Sequence, residues 1–226
     1  MLKIGHRGAS AYAPENTLTA FRKAMEMGAD GVELDVHMCK SGELVVFHDY
    51  GMNRLTPDKN LVRDLTLHEL QAFPLPEGER IPTLPEVLEA LGPEAWYFVE
   101  IKHIKATLPV ADILQHYARK GWRNDRLCLL SCYHETIVEA LEAFPSLTVA
   151  VSFIKLMDSS AWEAKTLGAR IIVPDYLTFE KEHVEQAHAL DLKIVAWTAY
   201  KDNPEDIAEL VSLGVDGIIS NYPDRL

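Results

Sequence analysis

Short runs of aliphatic and β-branched residues alternate along this chain with longer segments whose apolar positions recur every three to four residues. The β-rich runs cover residues 2–6, 31–37, 96–102, 126–132, 147–153, 169–174, 193–199 and 217–220. Helical periodicity fills the intervals at 18–27, 84–91, 108–120, 134–144, 161–167, 179–190 and 204–213. Gly28, Gly168 and Gly214 each follow a helical segment and precede a β-rich run, the position of a helix C-cap feeding a strand. Repeated βα units of this kind predict a parallel sheet, and eight such strands with helices between them in a chain of this length predict an α/β fold of the (β/α)8 TIM-barrel type. The competing architecture is an open doubly wound sheet, but no GxGxxG follows the first strand. The stretch 40–82 is too long for a simple loop and holds a further β run at 43–48 after the turn Lys40-Ser41-Gly42, so a small insertion after the second strand is expected on the barrel's top face.

Composition narrows this picture. A length of 226 residues, 48% hydrophobic, allows one barrel domain over residues 1–226 with a sizeable core. The formal charge is −12, from 22 basic and 34 acidic residues, and its field repels nucleic acid and anionic lipid. No apolar run approaches the roughly 20 residues of a membrane span, and residues 1–6 lack the pattern of a secretory leader. With only Cys39, Cys128 and Cys132, and no CxxC spacing, the expected setting is the reducing cytoplasm, with no nucleic-acid partner and no stable membrane anchor.

The active site of such a barrel lies at the C-terminal ends of its strands. Strand one ends in His6-Arg7, strand two carries Glu33, Asp35 and His37, and strand three carries Glu100 and Lys102. Alternation places Glu33 and Asp35 on one face and Val32, Leu34 and Val36 on the other, against the helices. Three converging carboxylates repel one another unless a cation lies between them, and an all-oxygen set suits one hard divalent ion, Mg2+ or Ca2+. The alternative is a salt-bridge network with Arg7 and Lys102. His6 and His48 offer a base and an acid near neutral pH. His37, His68, His103, His116, His134, His183 and His188 are read as surface or helix positions, and Asp49 as a cap for the turn after His48. Asn16 or Thr17 is expected to cap the first helix, and Glu15 to orient His6 or Arg7 or to lie solvated in the first turn. Trp197 is a candidate to stack on substrate carbons. Phe153 and Tyr176 could join it, although barrel filling is the preferred reading of Phe153.

The motifs His6-Arg7-Gly8-Ala9, Pro14-Glu15-Asn16-Thr17, 28–36, Val45-Val46-Phe47-His48-Asp49, Val99-Glu100-Ile101-Lys102, Trp197-Thr198 and 214–219 occur in order across residues 2–224. Together they resemble the glycerophosphodiester phosphodiesterase family. That resemblance implies a metal-dependent (β/α)8-barrel phosphodiesterase that cuts small glycerophosphodiesters into sn-glycerol 3-phosphate and an alcohol, with a place in glycerol and lipid metabolism. It puts the acid/base histidines on His6 and His48, the metal ligands on Glu33, Asp35 and Glu100, and phosphate contacts on Arg7 and Lys102. A lysophospholipase D-type or cyclic-phosphate-forming enzyme on the same barrel is an alternative, as is a silent binding barrel. From outside the family, a carboxylate-Mg lyase using Lys102 as base would leave the paired histidines without a task. The chain departs from the family pattern at Ser41, at Ala199-Tyr200 and at Ser220-Asn221, where Asp, Val-Asn and Thr-Asp are usual. The last two departures are expected to affect only the substrate-contacting rim.

Overall fold

The computed structural model describes all residues except Pro57, Ala199, Tyr200 and Lys201. The elements run β1 (Leu2–His6), α1 (Leu18–Glu26), β2 (Gly31–Met38), β3 (Leu44–Val46), α2 (Leu67–Ala72), α3 (Leu84–Leu91), β4 (Trp96–Ile101), α4 (Thr107–Arg119), β5 (Leu127–Ser131), α5 (His134–Ala143), β6 (Thr148–Phe153), α6 (Ser160–Thr166), β7 (Ile171–Pro174), α7 (Lys181–Ala189), β8 (Lys193–Trp197), α8 (Pro204–Leu213) and β9 (Gly217–Ser220). The strands follow the spatial order β1-β9-β8-β7-β6-β5-β4-β2-β3, and a β1–β2 pairing closes the sheet. Eight of them are parallel and form the (β/α)8 barrel. The exception, β3, runs antiparallel along the upper end of β2.

Each predicted strand and helix is present, about half of them a residue or two shorter than their patterns. The three C-cap glycines have φ of 88°, 83° and 86°, the left-handed region that glycine enters without a Cβ clash. Period-two alternation sorts the strand side chains into two apolar layers. Val32, Leu34, Val36, Tyr97, Val99, Leu129 and Val149 face outward and meet α1 and α3–α5 through Phe21, Leu84, Leu88, Leu114 and Ile137. Ile4, Phe98, Cys128, Leu130, Ala150, Ile171, Val173, Val195 and Ile219 face inward and fill the barrel, so any site at its mouth has a closed floor.

The segment between β2 and α3 has a small core of its own, made by Cys39, Val45, Phe47, Met52, Val62, Leu65, Leu70, Leu75 and Ile81. It includes the helix α2, opened by a capping box in which Thr66 and Glu69 satisfy each other's backbone N–H groups. Its entry is fixed to the barrel by the β2–β3 ladder and by the Phe47 N–H, which donates to the Asp35 carbonyl at 3.0 Å. His48 is thereby delivered to the rim above β2. Among the described residues, no helix is long and apolar enough to cross a membrane.

Candidate active site

Strand register assembles the centre. Parallel pairing sets Asp35 beside Glu100 and His6 beside Glu33, so side chains far apart in sequence point into the barrel mouth as neighbours. Carboxylate oxygens of Glu33, Asp35 and Glu100 lie within 4.8 Å of one another, the first two residues almost wholly buried. Lys102 Nζ lies 3.3 Å from both Asp35 Oδ1 and Glu100 Oε1. Arg7 Nε lies 3.2 Å from Asp35 Oδ2, and Asn16 Nδ2 donates to that same oxygen at 2.8 Å. Burial works against charge on Asp35, but Lys102 and Arg7 outweigh it and hold the carboxyl far below its ordinary range. Burial and repulsion from Asp35 push Glu100 up to about 7, and burial with Asp35 and Glu100 pushes Glu33 well above its ordinary value.

The salt-bridge network anticipated as an alternative therefore exists, yet it does not satisfy the cluster. Two cations face three acids, and among the described residues the buried Glu33 Oε1 has no hydrogen-bond partner. A positive ion between the carboxylates would supply both the charge and the contact. The all-oxygen donor set fits a hard divalent cation and lacks the His or Cys ligands that zinc favours.

The loop after β1 places the cation beside this cluster. Arg7 adopts φ of 53° and Gly8 of 83°, and a Cβ on Gly8 would lie 2.5 Å from the Ala20 carbonyl carbon. A left-handed non-glycine residue stores strain, here held by an Arg7 N–H that donates to Glu33 Oε2 at 3.1 Å. Thr17 is the N-cap of α1, its hydroxyl accepting from the Ala20 N–H. Asn16 instead holds Asp35 and takes no capping role. Glu15 is not a solvated first-turn acid. It accepts from Arg7 Nη1 at 2.9 Å and from both terminal nitrogens of Arg54.

The two histidines have different partners. His6 Nδ1 lies 2.7 Å from Asn221 Oδ1. An amide oxygen only accepts, so His6 carries its proton on Nδ1 and presents the Nε2 lone pair toward the cluster, 3.8 Å from Glu33 Oε2. Burial, then Arg7, lowers its pKa to about 4, which keeps the ring neutral. Trp197 packs edge-on against it, ring centroids 5.6 Å apart. His48 Nδ1 pairs at 2.6 Å with Asp49 Oδ1, whose other oxygen accepts from Arg54 Nε at 2.5 Å. Asp49 thus orients His48 and does not cap a turn. Asn221 contacts a histidine at the centre, where the Ser220-Asn221 departure had been assigned to the rim.

His37 is a further correction. It is buried on β2, its ring donating to the His48 carbonyl at 3.2 Å and packing edge-on against Tyr50. Burial lowers its pKa to about 4, so it acts as a neutral brace for the His48 turn. The cavity over the barrel floor, about 270 Å³, is lined by His6, Arg7, Glu33, His48, Glu100 and Lys102, by the apolar Leu130, Phe153, Ile154, Val173, Trp197 and Ile219, and by Cys132, Ser152 and Asp175. Phe153 belongs to this wall and is not plain filling. Tyr176 does not line it and packs toward the helix layer. The Ala199-Tyr200 departure lies outside the described residues. Arg54, Asp49 and Asn221 are the site-forming side chains that sequence reasoning did not assign.

The sequence of residues 6–225 matches the glycerophosphoryl diester phosphodiesterase family. The chain belongs to that family, a family of phosphoric diester hydrolases, and is an enzyme of that class. It is 34% identical to a glycerophosphodiester phosphodiesterase of Caldanaerobacter subterraneus subsp. tengcongensis, covering 100% of this chain and 96% of that protein. It is 33% identical to a glycerophosphodiester phosphodiesterase of Bacillus altitudinis, again over 100% of this chain and 96% of the relative. Among solved structures, an Oleispira antarctica phosphodiesterase in complex with the product sn-glycerol-3-phosphate shares the fold at TM-score 0.89, with 24% identity over 100% of this chain and 94% of that one.

Proposed function

We propose that the chain is a metal-dependent, cytoplasmic enzyme that hydrolyses small glycerophosphodiesters to sn-glycerol 3-phosphate and an alcohol, working as one barrel domain with its 40–82 insertion. The observation that carries this reading is the cluster of three carboxylates within 4.8 Å, flanked by two cations and two histidines on one cavity. Glu33, Asp35 and Glu100 would hold one Mg2+ or Ca2+, which when bound draws charge from the phosphoryl group. Arg7 and Lys102 would take the nonbridging oxygens and stabilise the charge that grows there in the transition state. His6, with its bare Nε2, would accept the nucleophile's proton. His48, whose ring Asp49 orients through Nδ1, would deliver a proton from Nε2 to the leaving alkoxide. Trp197 and the apolar wall would enclose the glycerol carbons. The three thiols are free, which supports a reducing compartment.

The test is release of sn-glycerol 3-phosphate from glycerophosphocholine, followed with and without divalent ion. Full activity after exhaustive chelation, with metal absent by elemental analysis, would refute the metal reading. A diester lacking the glycerol 2-hydroxyl tells which group attacks first. Loss of cleavage would point to that hydroxyl and a cyclic phosphate, and retention to water.

A further inference from the structure

Arg54 ends the short 3-10 turn Met52–Arg54 of the insertion, and its side chain is 43% exposed. It is nevertheless the most fully engaged arginine near the site. Its two terminal nitrogens bind both oxygens of Glu15 at 2.9 and 2.7 Å, while its Nε binds Asp49. Glu15 also accepts from Arg7, and Asp49 also pairs with His48. Polar contacts therefore run Asp35, Arg7, Glu15, Arg54, Asp49, His48 without a break, from the carboxylate cluster across to the insertion. One of these contacts, Glu15 with Arg54, joins the loop after β1 to the segment after β3, two pieces with no shared ladder among the described residues.

We infer that Arg54 is the positioning residue that holds His48 and Arg7 in mutual register, through one carboxylate each. This rests on the proposed roles of His48 as proton donor and Arg7 as phosphate contact. Geometry requires arginine. A planar guanidinium can grip one carboxylate with its terminal fork and a second with Nε, whereas a lysine ammonium is a point charge that cannot fix both directions. Without the fork, Asp49 is free to turn away from His48 Nδ1, and the ring loses the partner that fixes its tautomer. Exposed ion pairs add little to folding stability. The expected signature is therefore a loss of turnover with little change in melting temperature.

The experiment compares wild type, Arg54→Met, Arg54→Lys and Asp49→Asn on glycerophosphocholine and on the glycerophosphoryl ester of p-nitrophenol, with saturating divalent ion. Arg54→Met and Arg54→Lys should lower kcat on glycerophosphocholine by about 10- to 100-fold, within the range of one acid–base group. On the p-nitrophenyl ester, whose leaving group barely needs a proton, the loss should shrink to a few-fold. The pH limb assigned to the acid should move in the same direction as in Asp49→Asn. Adding Asp49→Asn to Arg54→Met should cost little more, because Arg54→Met has already released the Asp49 arm. Glu15→Gln, which acts through Arg7, should lower both substrates alike and tests the other arm should Arg54→Met fail to fold. Arg54→Met with wild-type kcat and pH profile overturns the inference, as does a loss equal on both esters and fully additive with Asp49→Asn. A wild type that cleaves neither ester with any divalent ion overturns the underlying reading instead, and this one with it.

Discussion

Replacing Glu100 by Gln should stabilise the metal-free protein while abolishing its activity. Burial and the neighbouring Asp35 raise the Glu100 pKa from an ordinary 4.5 to about 7. In the unfolded chain the group ionises near its ordinary value, so between those two pH values only the unfolded state loses the proton. Stability contributed by the protonated form is full below about 4.5, declines as pH rises, and is lost above about 7. At about 1.4 kcal/mol per pH unit the cost reaches at most about 3–4 kcal/mol, and solvent access and relaxation around the charged group bring it to about 1–2 kcal/mol. Gln keeps the size of the side chain and an oxygen for Lys102, without the charge. Thermal unfolding in chelator at pH 8 should therefore show E100Q melting about 2–8 °C above wild type, the conversion expected for a chain of this size. At pH 5 the gap should nearly vanish. Saturating Mg2+ or Ca2+ should reverse the order at pH 8, because wild type binds the ion and gains about 3 kcal/mol at a hundredfold excess over Kd, while E100Q gains less. An E100Q protein less stable than wild type in chelator at pH 8, or a gap equal at both pH values, would refute the reasoning.

Divalent-ion affinity, measured calorimetrically, should fall as pH drops from 8 to 6, by up to about tenfold per pH unit for each proton displaced from Glu33 and Glu100. A pH-independent Kd contradicts this. His6→Ala and His48→Ala should each lose at least about 100-fold in kcat, and a p-nitrophenyl leaving group should rescue only His48→Ala; rescue of His6→Ala alone would invert the roles. Glycerophosphocholine, glycerophosphoethanolamine and glycerophosphoglycerol should be cleaved with kcat/KM values within about a hundredfold, since apolar contacts discriminate weakly. Preference for micellar lysophospholipids in the same assay would contradict that.

The barrel was legible because its signals are local and repeated. A glycine cap, a β-rich run and an apolar-periodic helix recur, and the period-two pattern alone sends Glu33 and Asp35 inward. The metal-type cluster was legible for the same reason, since strand ends are where such a fold gathers chemistry. What the sequence concealed is set by tertiary geometry. His37 shares its strand alternation with Glu33 and Asp35, but only the insertion folding over it makes it a buried brace. Asn16 sits where a capping residue belongs, and its left-handed backbone turns the amide to Asp35 instead. Arg54 lies in a polar turn with nothing nearby in sequence to mark it, and its partners come from two loops that meet only in the folded chain. Asn221 could have been suspected from its departure from the family pattern, but its contact with His6 depends on β9 closing against β1.

The small separate core beneath His48 bears on how the enzyme could be switched off and on. Nine buried side chains give that segment a core of its own, apart from the barrel that carries His6 and the three carboxylates. A transient opening of this unit would carry off His48 together with Arg54, the partner of Glu15, while Glu33, Asp35 and Glu100 stay on the barrel strands.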